Sequence, residues 1–133
     1  MNASSVDIKD MLEAESTLGL VFGTNLFVGK EPSKPHNSVT IYDTTAFPPE
    51  LALEGATGYE YPSIQIRVRN DNYLSGWDFI TVITNFLHGK KQEVIDITLY
   101  SLIACSSGPA LLDYDEQNRP RFIVNFNIQR RGI

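Results

Sequence analysis

Chemistry on a protein needs a nucleophile beside a base, carboxylates held in a pocket, or ligands grouped around a metal. The candidates here are two histidines, one cysteine, an acidic run and a set of arginines. His36 stands in Lys30-Glu31-Pro32-Ser33-Lys34-Pro35-His36-Asn37, whose two prolines and mixed charge predict a mobile surface loop, so it reads as a solvated side chain. His88 falls at the end of a predicted helix, where contact with the dipole is reason enough for it. Cys105 has no motif around it and no helix start to lower its pKa, so it reads as a small core residue. Two histidines and one cysteine at unrelated spacings do not form a zinc pattern. Asp113-Tyr114-Asp115-Glu116 lacks the spaced ligands, central glycine and terminal glutamate of a calcium loop, and no glycine-rich phosphate loop occurs. The sequence therefore predicts no catalytic residue, no metal and no cofactor.

What remains is charge arranged on a face. Arg67 and Arg69 share one side of a period-two pattern with Gln65, and Arg119, Arg121, Arg130 and Arg131 gather near the end of the chain. These are a solvated strand face and a basic tail, or they bridge to acids such as Glu50, Glu54 or Glu60 on a neighbouring copy. Trp77 lies at helical spacing on the side of Thr81, Thr84 and His88, away from the apolar stripe, so a neighbouring loop or another subunit must cover it. The interface candidates are Arg67 and Arg69, Tyr73 with Trp77, and the acidic segment around Glu50 and Glu54.

The elements that position these residues are legible from their periods. From Tyr61 to Asn70, Ile64, Ile66 and Val68 alternate with Gln65, Arg67 and Arg69, as in a strand with one dry face. Leu74 to Leu87 reads as a helix: Ser75 is the expected N-cap, with Asp78 in capping-box position and Leu74 and Phe79 as a hydrophobic staple. Phe79, Ile80, Val82, Ile83, Phe86 and Leu87 form its stripe, and His88-Gly89-Lys90-Lys91 its end. A shorter helix begins at Ser4-Ser5-Val6-Asp7, buries Ile8, Met11 and Leu12, and stops before Gly19.

Further strands are predicted around Asn25 to Val28, over Ser38 to Asp43, over Glu93 to Ala104 and over Arg121 to Gln129. In the Glu93 run, Ile95, Ile97, Leu99 and Ile103 share one parity against Asp96, Thr98 and Tyr100, and Ser106-Ser107-Gly108-Pro109 interrupts it. Ala46 to Glu60, with Pro48-Pro49, two glycines and three acids, is a long loop, of a length that is usually functional or disordered. The expected class is α+β: a mixed, mainly antiparallel sheet of about five strands with two helices on one face.

At 133 residues, residues 1–133 are expected to form a single domain able to bury about two thirds of its unfolded surface. No segment has the length and apolar purity of a membrane span, and the acidic first residues do not resemble a secretory signal, so a soluble protein that stays in the cell making it is expected. A formal charge of −5 argues against a surface that grips phosphate.

The order Asn25-Leu26-Phe27-Val28, Val39-Thr40-Ile41-Tyr42-Asp43-Thr44, Tyr61 to Arg69, Ser107-Gly108-Pro109 and Asp115 to Pro120 with Val124-Asn125-Phe126 resembles the minor capsid and tail terminator family of tailed bacteriophages over nearly the whole chain. It departs where Thr45-Ala46-Phe47 replaces an expected glycine after Asp43-Thr44. The resemblance implies a non-enzymatic virion protein of the tail and neck, assembled in the host bacterial cytoplasm. It also implies a homo-oligomer, a hexameric ring, that caps the head-proximal end of the tail tube, stops tube polymerisation and docks the head connector or a head-completion protein. Genomic DNA would pass through its channel without specific binding, and an acidic lumen would let it slide. Rival readings are another neck adaptor (head closure or tail completion), a small-ligand-binding domain with Ala46 to Glu60 as lid, and a nucleic-acid binder using Arg67 and Arg69.

Overall fold

A computed structural model describes residues 1–49 and 58–133 of the chain. Two helices, α1 (Ser4–Ala14) and α2 (Tyr73–Leu87), and six strands, β1 (Leu26–Val28), β2 (Ser38–Thr44), β3 (Ser63–Arg69), β4 (Lys90–Ile95), β5 (Thr98–Tyr114) and β6 (Pro120–Gly132), make the α+β arrangement that the periods predict. The strands form one sheet in the order β1-β2-β3-β6-β5-β4. Only β1 and β2 run parallel; every other neighbouring pair is antiparallel.

The sheet has six strands rather than about five because the apolar run from Glu93 is two strands. The chain reverses at Asp96-Ile97, where Asp96 takes φ 51, a left-handed conformation that aspartate tolerates better than most residues. Ser106 to Pro109 does not end β5 either. The 17 residues of β5 face the 13 of β6, and the ladder absorbs the surplus in four register shifts, between Tyr100 and Leu102, Cys105 and Ser107, Ser107 and Ala110, and Leu111 and Asp113. Each such bulge inserts a residue and changes the parity that follows. Tyr100 and Ile103, an odd number of residues apart, are therefore both buried, and Ile97, at the chain reversal, is exposed, contrary to the simple alternation.

The core lies between one face of the sheet and both helices. Val39 and Ile41 of β2, Ile64, Ile66 and Val68 of β3, and Phe122, Val124, Phe126 and Ile128 of β6 meet Ile8 and Leu12 of α1 and Ile80, Ile83 and Leu87 of α2. Each fully buried aliphatic or phenyl group contributes about 1.5–3 kcal/mol relative to exposure.

Both helix starts differ from the motif reading. At α2 the N-cap is Asn72, whose Oδ1 accepts the N–H of Ser75 at 3.0 Å, so Ser75 is a donor in the first turn. Leu74 is 73% exposed and is no staple. The buried row of α2 is Gly76, Ile80, Ile83, Thr84 and Leu87, which turns Val82 outward and Thr84 inward; the Thr84 hydroxyl donates to Ile80 O at 2.8 Å. Its end is as expected, with the N–H of His88 bonded to Thr84 O and Gly89 at φ 86. At α1 the N-cap is Ala3, whose methyl group can accept nothing, and Asp7 turns instead to the Tyr100 hydroxyl of β5. Ser5 donates its N–H and hydroxyl to Asp43 of β2 at 3.0 and 2.6 Å.

Candidate functional site

The arginines singled out from the sequence lie on β3, around the start of β6 and at its end, and at the first two places the chain uses Arg69, Arg119 and Arg121 internally. Arg69 is 2% exposed: its Nη1 pairs with Glu31 Oε1 at 2.9 Å and donates to Pro32 O, its Nη2 donates to Pro35 O, and its Nε to His36 O. Arg119 donates to Asp115 Oδ2 at 2.7 Å, to Ser33 O at 3.0 Å and to Nδ1 of His36 at 3.1 Å. Arginine has no acceptor, so Nδ1 of His36 accepts there. Arg121 grips both oxygens of Asp113 at 2.6 and 2.7 Å and reaches Glu31 at 3.3 Å. The proline loop is thereby fastened over the outer side of the sheet.

The same bonds explain the acidic run. The Arg121 guanidinium holds the Asp113 carboxyl below the usual range. Burial pushes Asp115 upward, but the backbone N–H groups of Arg119 and Gln117 and the Arg119 side chain outweigh it and hold it low. These carboxylates are arginine partners within the chain. Arg121 in turn is raised further by Asp113, against the cost of its own burial.

Arg67 differs from its strand neighbour. On the face away from the helices it lies over the Tyr42 ring at 4.8 Å and donates Nε to Gln65 Oε1 at 2.7 Å. It is held by a polar ladder in which Gln65 bonds Asn125, Asn125 bonds Ser107, and Ser63 bonds Asn127. No carboxylate pairs with Arg67 among the described residues. Of the two strand arginines proposed to bridge to another copy, Arg69 has its acid, Glu31, in its own chain, and only Arg67 presents an unpaired cation. Glu50 and Glu54 lie outside the described residues; Glu60 pairs with Arg130 at 3.0 Å.

Tyr73 and Trp77 come together on α2. Both rest edge-on against the fully buried Phe122, with ring centroids 5.0 and 6.0 Å away, and both stay well exposed on their other sides. The approach depends on Gly76: a Cβ there would stand 2.6 Å from Cε2 of Phe122. Leu74 and Leu111, the latter opposite Phe122 in the ladder, continue the apolar surface.

The remaining reactive side chains hold structure. Nδ1 of His88 accepts the backbone N–H of Cys105 at 2.9 Å, and the Cys105 thiol faces the carbonyls of Ser107 and Gly108. No base addresses that thiol in these contacts. Sequence reasoning missed a buried polar chain: the Tyr100 hydroxyl donates to Asp7, and Arg130 reaches Tyr100, Asn2 O and Glu60. Burial first, and the bond to Asp7 second, push the Tyr100 hydroxyl far above the ordinary tyrosine range. Asp7 read as a helix-start acid and Tyr100 as the polar parity of a strand, so neither signalled its partner 93 positions away.

The model of a family described as bacteriophage tail terminator protein matches residues 7–131. Among solved structures, a chain from the virion of a native gene transfer agent particle superposes with a TM-score of 0.65 at 14% identity, covering 94% of this chain and 92% of that one. At that identity the likeness is one of fold. No curated protein matches the sequence.

Proposed function

We propose, for a chain that belongs to the bacteriophage tail terminator family, that it assembles into a hexameric ring on the head-proximal end of the tail tube. It is a structural, tail-associated protein of the virion. The ring would stop tube polymerisation, present the docking surface for the head connector or a head-completion protein, and let genomic DNA pass without specific binding.

One observation carries this reading: Tyr73 and Trp77 form an exposed aromatic surface, while the arginines, histidines and acids described above are engaged in internal bonds. Aromatic side chains at the surface anchor protein contacts. Arg67, facing away from the helices, is proposed as a second contact, with Glu50 and Glu54 of a neighbour as its partners. The net charge of −5 favours a channel that repels phosphate.

The test is the mass of the purified protein in solution, by light scattering on a size-exclusion column, alone and with tail-tube protein. A discrete species of hexamer mass that halts tube growth is expected. Protein that stays monomeric in both conditions, or that joins heads without limiting tube length, would overturn the reading. So would a ring whose channel is lined with arginine, for the passage of DNA.

A further inference from the structure

The sheet has two unequal lateral edges, and each carries a feature that nothing within the described chain uses. On one side β4 pairs with β5 only from Thr98 to Ile103, so β5 from Ala104 to Tyr114 has β6 on one flank and no strand on the other among the described residues. Beside this bare stretch lies the apolar surface of Tyr73, Leu74, Trp77 and Leu111. Asp71 and Asp78 adjoin it, both exposed and without an ion pair among the described residues. An unpaired strand edge next to exposed aromatic groups is a surface made for protein contact.

On the other side β1 closes the sheet. Between β1 and the proline loop runs an open groove of about 530 Å³. Gly23, Phe27, Lys34, Pro35, His36 and, from the turn between β5 and β6, Gln117 line it, a size and a mainly apolar lining that suit an aromatic anchor. Lys34 is exposed there without an ion pair among the described residues.

Resting on the ring reading above, we infer that the occupant of the Tyr73–Trp77 surface is a second copy of this chain, seated through the groove between its β1 and its proline loop. Three observations select this arrangement. The two surfaces are different patches of one subunit, one over Phe122 of β6 and the other between β1 and the proline loop, and a contact between unlike patches is the head-to-tail kind that a closed ring requires. Asp71 and Asp78 flank the aromatic residues and Lys34 lines the groove, so the charges complement one another. Self-pairing of the aromatic surface would set Asp71 and Asp78 against their own copies, and like charges opposed across a contact disfavour it.

Charge reversal tests this without touching the core, since Asp78 and Lys34 are both exposed. Mass is measured by light scattering for the free protein and for protein bound to tail-tube protein. Asp78→Lys and Lys34→Glu should each weaken association on the order of tenfold per contact. The double variant Asp78→Lys/Lys34→Glu should restore it, as should an equimolar mixture of the two single variants, because each mutant edge then meets its complement. Circular dichroism of each variant should match the parent.

An oligomer that forms but is insensitive to both reversals would overturn the edge contact and leave the ring standing. Sensitivity to Asp78→Lys with none to Lys34→Glu would remove the groove as the seat of the aromatic surface and overturn the inference. If Asp78→Lys abolishes tube capping while the oligomer persists, the surface belongs to the tube protein and the inference fails. A monomer under every condition would overturn the ring and the contact together.

Discussion

Replacing Gly76 with alanine pits helix propensity against packing, and the two predict opposite signs. Gly76 lies inside α2, away from the left-handed region, so on an exposed helix surface alanine would add about 1 kcal/mol of stability. Here the new methyl would stand 2.6 Å from Cε2 and 3.1 Å from Cδ2 of Phe122, and 3.0 Å from Cβ of Asn70. Phe122 is fully buried, with Tyr73 and Trp77 against its ring, so it has little room to retreat. Overpacking of this kind costs about 1–3 kcal/mol. Setting the two against each other, Gly76→Ala should destabilise the protein by about 1 kcal/mol, or about 3–5 °C in Tm. Urea unfolding followed by circular dichroism gives the free energy, and the emission of Trp77, the single tryptophan, reports whether the aromatic surface shifts. A variant that is more stable than the parent, with unchanged Trp77 emission, would refute the claim that α2 is seated through this glycine.

Four further outcomes follow from the internal bonds. Tyr100→Phe removes the hydroxyl shared by Asp7 and Arg130 and should cost about 1–3 kcal/mol in urea unfolding, since both partners stay buried. In the parent, Tyr100 should remain protonated while folded when absorbance at 295 nm is followed upward in pH; its raised pKa contributes stability below the unfolded value near 10 that is lost as pH rises through the folded value. Asp113 and Asp115 have the opposite sign: their depressed pKa values contribute stability above the unfolded value of about 3.9, lost as pH falls through the lower folded values, so Asp115→Asn should flatten the acid limb of Tm against pH. Arg69→Lys keeps the charge but cannot reproduce the fork that holds Glu31 and three loop carbonyls, and a loss of about 3 kcal/mol in urea unfolding, with faster proteolysis in the proline loop, is expected.

Much of the local structure could be read from the chain because it depends on neighbours a few residues apart. The alternation at Ile64, Ile66 and Val68 puts those side chains on the dry face of β3, and the apolar spacing of Ile80, Ile83 and Leu87 puts them on the buried row of α2. Trp77 could be read as exposed because it falls off the apolar stripe, whereas Tyr73, placed before the expected helix, stands one turn from it only because α2 begins at Tyr73. The absence of a spaced ligand set or a nucleophile motif is likewise a property of the linear order.

What the linear order did not reveal depends on contacts that close only in three dimensions. Arg67 and Arg69 are indistinguishable by pattern, yet one lies over Tyr42 in solvent reach and the other is buried under a loop, because Glu31 arrives from 38 positions away. The parity of β5 was misread because bulges are fixed by the mismatch in length between β5 and β6, which neither strand carries alone. Whether Gly76 is a weak point of a helix or the seat of Phe122 is decided by the ring packed against it. Periodicity records which side of an element is dry; only tertiary structure determines which partner makes it so, because a side chain's energy depends on the atoms it touches and these come from anywhere along the chain.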